Sequence, residues 1–146
     1  SLEDYCVNWT SQPPSFREKQ LLLKKVAKIV RKMHENGLNH RDLYICHFLL
    51  RKDTEEAEDN SHLFLIDLHK AQIRKTVPER WLIKDLSALY FSAMHIGLTN
   101  RDFLRFVKIY REQSLRSIFS LEARFWDKVA RKAALLDAMP ESKKKT

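Results

Sequence analysis

The sequence has little that would staple, kink or loosen a chain: 2 cysteines, 4 prolines and 2 glycines among 146 residues. Cys6 and Cys46 stand far apart without CxxC spacing, which excludes a disulfide-stapled fold or a paired-cysteine zinc motif and leaves two thiols expected to be reduced. Gly37 and Gly97 both follow helix-periodic runs, so no glycine-rich phosphate loop is present. No window approaches the roughly 18 uninterrupted apolar residues of a membrane span. Nor does a basic segment, an apolar run and a small-residue cleavage site open the chain. A cytoplasmic location is the expectation, although a start at Ser1-Leu2-Glu3-Asp4 also reads as a fragment whose targeting signal lay upstream.

What is present is an apolar fraction of 44%, enough for the core of one domain, and a formal charge of +8. The charge is uneven. Residues 53–59 read DTEEAED, without a basic residue, and the chain ends ESKKKT, so the remainder is more basic than the total. Such a surface attracts nucleic acid, an acidic protein, anionic lipid or a phosphorylated substrate, and charge alone does not choose among them. Single runs also serve as ordinary solvated helix faces.

Residues 1–14 read as an irregular lead-in ending in Pro13-Pro14. Ser15 then caps a helix, with Glu18 reaching back, and Leu22, Val26, Ile29 and Met33 form its apolar face up to a left-handed cap at Gly37. A polar loop around His40-Arg41-Asp42 feeds a short strand at Phe48 to Arg51. The acidic run reads as a mobile turn, and Leu63 to Ile66 as a second strand ending at Asp67. Helical spacing returns from Arg80 to His95, with Gly97 beyond. Thr99 and Asp102 box a helix with Phe103, Phe106, Val107 and Tyr110 inward, and Ser120 is expected to start the last helix. Residues 139–146 form a basic tail expected to be disordered.

The segments HRDLYICH and IDLH carry the chemistry. Phosphoryl transfer needs one carboxylate to orient the attacking hydroxyl and accept its proton, and another to hold metal on the phosphates. Asp42 and Asp67 suit these tasks, one at each end of a short hairpin. His34, His62 and His95 share no ligand spacing and read as surface or packing residues. Cys46 reads as packed beside the loop, not as a nucleophile.

His40-Arg41-Asp42-Leu43 matches the catalytic-loop pattern of protein kinases, and Asp67 follows a strand as their metal-binding aspartate does. More narrowly, NHRDLYICHFLL, FLIDLHKAQIR and KDLSALYFSAMHIGLTNRDFLRF resemble the lipopolysaccharide core heptose kinases, as do LEDYC and PPSFR in the lead-in. The resemblance covers Leu2 to about Tyr110. It implies a mainly α fold of the α+β kinase-like superfamily. Residues 1–14 would lead in from the hinge, residues 15–138 would form the C-lobe with one small antiparallel β-hairpin, and the N-lobe would be absent.

The same resemblance implies that Asp42 is the catalytic base, Arg41 structures the loop by pairing with a carboxylate or an activation-segment anion, and His40 supports the backbone around Asp67. Asp67 would bind Mg2+ for the co-substrate ATP, and Asp85 would accept hydrogen bonds from the loop backbone. His47 stands where protein kinases place a second, asparagine metal ligand. It would bind metal weakly, favour Mn2+ or contact phosphate, since magnesium prefers oxygen. Tyr44 replaces the lysine expected two positions after Asp42, and Leu68-His69 replace phenylalanine and glycine after Asp67. Lys70, Arg74, Lys75 and Arg80 are the acceptor-binding candidates, cations suited to an inner core rich in phosphate and carboxylate.

The activity implied is ATP-dependent phosphorylation of the first heptose, at its 4-hydroxyl, on the nascent lipopolysaccharide core. It would take place at the inner face of the bacterial inner membrane, where the basic faces would meet anionic lipid. The partners implied are that core, an N-lobe in cis or on a separate chain, and an anionic lipid or acidic protein. No nucleic acid is expected, for want of an aromatic platform or reading helix. Phe103, Phe106, Tyr110, Phe119, Phe125 and Trp126 serve either as core or as lining for an acyl groove. Without a phosphate loop and its lysine, the isolated chain is expected to be inactive. The alternatives are a kinase for another core sugar such as Kdo, or a noncatalytic basic docking module.

Overall fold

The computed structural model describes residues 1–52 and 61–141. The acidic run 53–59 and the KKKT tail, with the mobility and disorder expected of them, lie outside the described residues.

The lead-in is not irregular throughout. Ser1 and Asp4 form a reciprocal capping box that opens α1 (Leu2–Cys6), with Leu2 and Cys6 buried. The signal was a serine followed three residues on by an acid; a single helical turn is too short for periodicity to register. Helix α2 (Phe16–Glu35) is capped by Ser15, whose hydroxyl accepts from the Glu18 N–H at 3.1 Å. The Glu18 carboxylate does not complete the expected box; it accepts the Tyr5 hydroxyl and ties α1 to α2. The buried stripe of α2 runs Leu22, Val26, Val30, His34, and Ile29 and Met33 lie at its margin. One polar residue therefore belongs to the core face.

Gly37 follows at φ +81°, and a Cβ there would stand 1.7 Å from the Arg74 carbonyl oxygen. Both the backbone conformation and the close approach demand glycine. The approach is that of β1 (Leu38–Asn39) to β4 (Gln72–Ile73), an antiparallel pair additional to the single hairpin expected. Two-residue strands are too short to show alternation. The expected hairpin joins β2 (Phe48–Lys52) to β3 (Ser61–Leu65), with Phe48 opposite Leu65.

Helices α3 (Glu79–Ser92), α4 (Asn100–Arg111), α5 (Leu115–Leu121) and α6 (Ala123–Ala138) complete the fold. Ser120 does not start the last helix: it lies inside α5, which Ser114 caps, and donates its hydroxyl to the Ser117 carbonyl. Helix α3 packs on α6, and α2 on α4. Trp126 is buried at the centre of the helical layer, edge-on to Phe125, Tyr110 and Phe103 at centroid distances of 5.0, 5.7 and 6.3 Å. Such pairs contribute about 0.5–1.5 kcal/mol each beyond their buried area. Core packing thus claims most of the aromatics. Phe103, Phe106 and Trp126 also line an apolar cavity of about 170 Å³ with Leu2, Cys6 and Trp9.

Candidate active site

Three loops meet on one side of this core: the turn His40 to His47, the turn after β3, and the N-terminal part of α3. The first of these turns is tied to α3 by Asp85, which is fully buried. One of its oxygens accepts from the His40 N–H and the other from the Arg41 N–H, both at 2.9 Å. A buried carboxylate is tolerable only with such donors. They hold Arg41 at φ +74°, a conformation that non-glycine residues seldom adopt.

Asp85 has a third partner, His34 on α2. His34 Nε2 lies 2.9 Å from Asp85 Oδ2, and its Nδ1 lies 2.7 Å from the Tyr110 hydroxyl on α4. A carboxylate only accepts, so the imidazole Nε2–H donates to Asp85, and burial keeps the Tyr110 hydroxyl un-ionised beside Nδ1. Sequence reasoning treated His34 as a surface or packing residue. Its place in the i, i+4 stripe with Leu22, Val26 and Val30 was the available signal.

His40 is also fully buried and joins the two loops that carry the candidate aspartates. Its Nδ1 accepts from the Asp42 N–H at 3.1 Å, which leaves Nε2–H to donate to the Ile66 carbonyl at 2.9 Å. His47 makes a second connection. Its Nδ1–H donates to the Asp42 carbonyl at 2.7 Å, and its Nε2 lies 3.1 Å from Asp67 Oδ2. The two imidazoles stack with centroids 5.6 Å apart. Asp67 takes φ +66° and opens a short 3-10 turn, Leu68–Lys70, whose His69 Nδ1 reaches the other carboxylate oxygen. That turn carries Lys70 back to Asp42, with Nζ 3.3 Å from Oδ2.

The structure therefore brings Asp42, Asp67, His40, His47, Asp85 and Lys70 into one frame of hydrogen bonds and ion-pair contacts. Arg41 differs from expectation: among the described residues it pairs with no carboxylate, and its guanidinium lies 5.2 Å from the centroid of Trp81 with Nε buried and unpartnered. Trp81, which sequence reasoning did not single out, also receives Arg80 at 5.0 Å. A flat guanidinium stacks on an indole face at little desolvation cost, which explains the choice of partner. Arg74 donates to Gln72, and Lys75 is exposed. These residues lie along the outer edge of the site and not in the frame.

Cys46 keeps a thiol pushed up by burial, consistent with a packed residue, and in Cys6 burial and the neighbouring Glu18 push it to about 12. Both cysteines are free. Tyr44 is likewise raised by burial and then by Asp42, so its phenol stays neutral. Among the described residues no three acidic, histidine or cysteine side chains form a complete metal cage. Asp67 nevertheless fits magnesium as nucleotide enzymes hold it, through one or two carboxylates with phosphates and water filling the shell, whereas the His47 imidazole beside it is a poorer ligand for that ion. The Asp67 side chain is 39% exposed.

A helical lobe with a hairpin, a buried helix aspartate holding an HRD turn, and a second aspartate just past the hairpin define the catalytic-loop half of a kinase-like fold. Residues 1–110 match the family described as "Lipopolysaccharide kinase (Kdo/WaaP) family", and the chain belongs to that family. It is 57% identical over 122 residues to the lipopolysaccharide core heptose(I) kinase WaaP of Escherichia coli K12, covering 84% of this chain and 46% of that one. It is 49% identical over 135 residues to the enzyme of the same description from Pseudomonas aeruginosa, covering 92% and 50%. A solved structure, "WaaP in complex with acyl carrier protein", matches with a TM-score of 0.85 and 48% identity, covering 92% of this chain and 56% of that one. The chain spans about half the length of the curated relatives it matches.

Proposed function

We propose that the full-length protein transfers the γ-phosphoryl group of ATP to the 4-hydroxyl of the first heptose of the lipopolysaccharide inner core. The observation that supports this most is the His47 bridge, which ties the Asp42 backbone to the Asp67 carboxylate and so fixes two carboxylates on separate loops. In the reaction the acceptor oxygen attacks the γ-phosphorus, the bond to the β–γ bridging oxygen breaks, and ADP leaves with that electron pair. Asp42 orients the hydroxyl and takes its proton. Asp67, with His47 beside it, would hold Mg2+, or Mn2+, which supplies charge neutralisation on the phosphates. Asp85 and His40 position the loop. Arg74, Lys75 and Arg80 lie where an acceptor rich in phosphate and carboxylate would meet cations.

The nucleotide clamp needs a glycine-rich phosphate loop, and Gly37 just past α2 and Gly97 in the turn between α3 and α4 do not form one. Residues 1–14 would lead in from the hinge and 15–138 form the lobe, with the remaining grip supplied outside this chain. No helix of the described residues is long and apolar enough to cross a membrane, and we place the protein peripherally at the inner face of the inner membrane, on anionic lipid. The test is labelled phosphate transfer from ATP to core lacking its heptose phosphate, with the full-length protein, its Asp42→Ala form and the 146-residue chain compared. Transfer should fall by about 10³-fold or more in Asp42→Ala and be negligible for the chain alone. Transfer to a Kdo-terminated acceptor in place of heptose would move the assignment to another core sugar. A folded protein inert with every core acceptor would favour a docking role.

The acyl carrier protein in the solved neighbour supports a partner as well. A protein that carries an acyl chain fits such a partner, since that chain suits the apolar cavity lined by α1, α2, α3, α4 and α6. Co-purification should recover acylated carrier protein with the full-length protein. It should recover far less with Trp9→Asp, which puts a charge on the cavity wall.

A further inference from the structure

Lys70 stands apart from the other cations near the site. Its Nζ is 3.3 Å from Asp42 Oδ2, and it is the single ion-pair partner of that carboxylate among the described residues. Stability does not explain the pairing, because the lysine side chain is 50% exposed and exposed pairs contribute little.

The backbone makes the placement deliberate. Asp67 at φ +66° starts the 3-10 turn, and the Ala71 N–H closes it on the Leu68 carbonyl at 3.0 Å. One short turn therefore presents Asp67 and Lys70 together, and the His40 bond to Ile66 holds that turn against the Asp42 loop. Phosphoryl transfer crowds this place with anions: two carboxylates, the nucleotide phosphates and a γ-phosphoryl group whose three equatorial oxygens carry the charge. Tyr44, two residues after Asp42, packs its ring 5.9 Å from that of His47 and brings no positive charge. A lysine ammonium has three donors, and its one ion pair among the described residues, with Asp42, leaves donors for a second anion.

From this geometry we infer that Lys70 is a catalytic residue, which bridges Asp42 to an equatorial oxygen of the γ-phosphoryl group during transfer. This deepens the kinase reading and rests on it. Lys70 donates to an equatorial oxygen of the phosphoryl group in flight, over which that group's charge is spread, and its pairing with Asp42 holds the ammonium there before ATP arrives. It thereby leaves the acceptor-binding set, in which Arg74, Lys75 and Arg80 remain.

The test is steady-state phosphate transfer by the full-length protein and its Lys70→Ala and Lys70→Arg forms, with folding checked by circular dichroism. Lys70→Ala should lower kcat by about 10²-fold and leave the KM for the core acceptor within about twofold, and Lys70→Arg should recover most of the loss. A raised acceptor KM with kcat unchanged would make Lys70 an acceptor contact and overturn the inference. If the unaltered protein transfers nothing to the core, the substrate reading fails. Acceptor-free ATP hydrolysis by the same three proteins then decides, and equal rates in Lys70→Ala and the unaltered protein overturn the role of Lys70.

Discussion

The chain Tyr110–His34–Asp85 shows how a single carboxylate comes to govern a loop. Asp85 is buried, yet its oxygens are met by two backbone N–H groups and an imidazole N–H, so its charge is distributed over three fixed donors. Asp85→Ala would leave the His40 and Arg41 N–H groups without acceptors and release Arg41 from its positive φ. The expected cost is about 3 kcal/mol, with kcat reduced by about 10²-fold because the Asp42 loop relaxes. Tyr110→Phe removes one hydrogen bond from the far end of the chain and should cost about 1 kcal/mol, with a smaller effect on kcat. Urea unfolding and transfer kinetics on both variants check this ordering. Equal effects of the two would show that Asp85 acts as packing only.

At the scale of elements, the junction of α2 and α4 has its own buried charge. Asp102 completes the α4 capping box with Thr99 and also meets Lys19 of α2 at 2.8 Å and Arg105 at 3.1 Å. Burial alone would raise its pKa, but the Lys19 ammonium and the Thr99 donors outweigh that and hold the carboxyl below its ordinary 3.8. A depressed folded value means stability that is present above about pH 4 and lost as pH falls through the folded pKa. Asp102→Asn should therefore cost about 2 kcal/mol at neutral pH. Its difference from the unaltered protein in thermal unfolding should shrink as pH drops below 3.8. A difference that persists undiminished in acid would assign the loss to shape and not to charge. The capping box was legible as Thr-x-x-Asp. The cross-helix partners were not, because Lys19 and Asp102 are distant in sequence and no local pattern announces their contact.

For the whole molecule, helical periodicity located α2, α3 and α4 and side-chain caps the starts of α2 and α4, although α3 ends at Ser92, short of the expected His95, and the hairpin emerged from two apolar runs flanking an acidic one. The elements that escaped were those with too few residues to show a period: α1, β1 with β4, and the break between α5 and α6. Within the site, HRD and IDLH were readable because their residue types are tied to one chemistry at fixed local spacing. Lys70 was readable as a cation after Asp67 but not as the partner of Asp42, since that depends on the direction in which a left-handed aspartate turns the chain. Arg41 was read as an ion-pair former, and the indole of Trp81 took it because α3 brings that ring to the loop.

The sequence by itself determined the longer helices α2, α3 and α4, the two candidate aspartates and the family, since these depend on spacing along the chain and on residue chemistry. Only the tertiary structure decided the partners of His34, Arg41, Lys70 and Asp102. A buried or half-buried polar group takes whichever complementary group the packing brings within hydrogen-bond distance, and that group is set by the crossing of elements far apart in the chain.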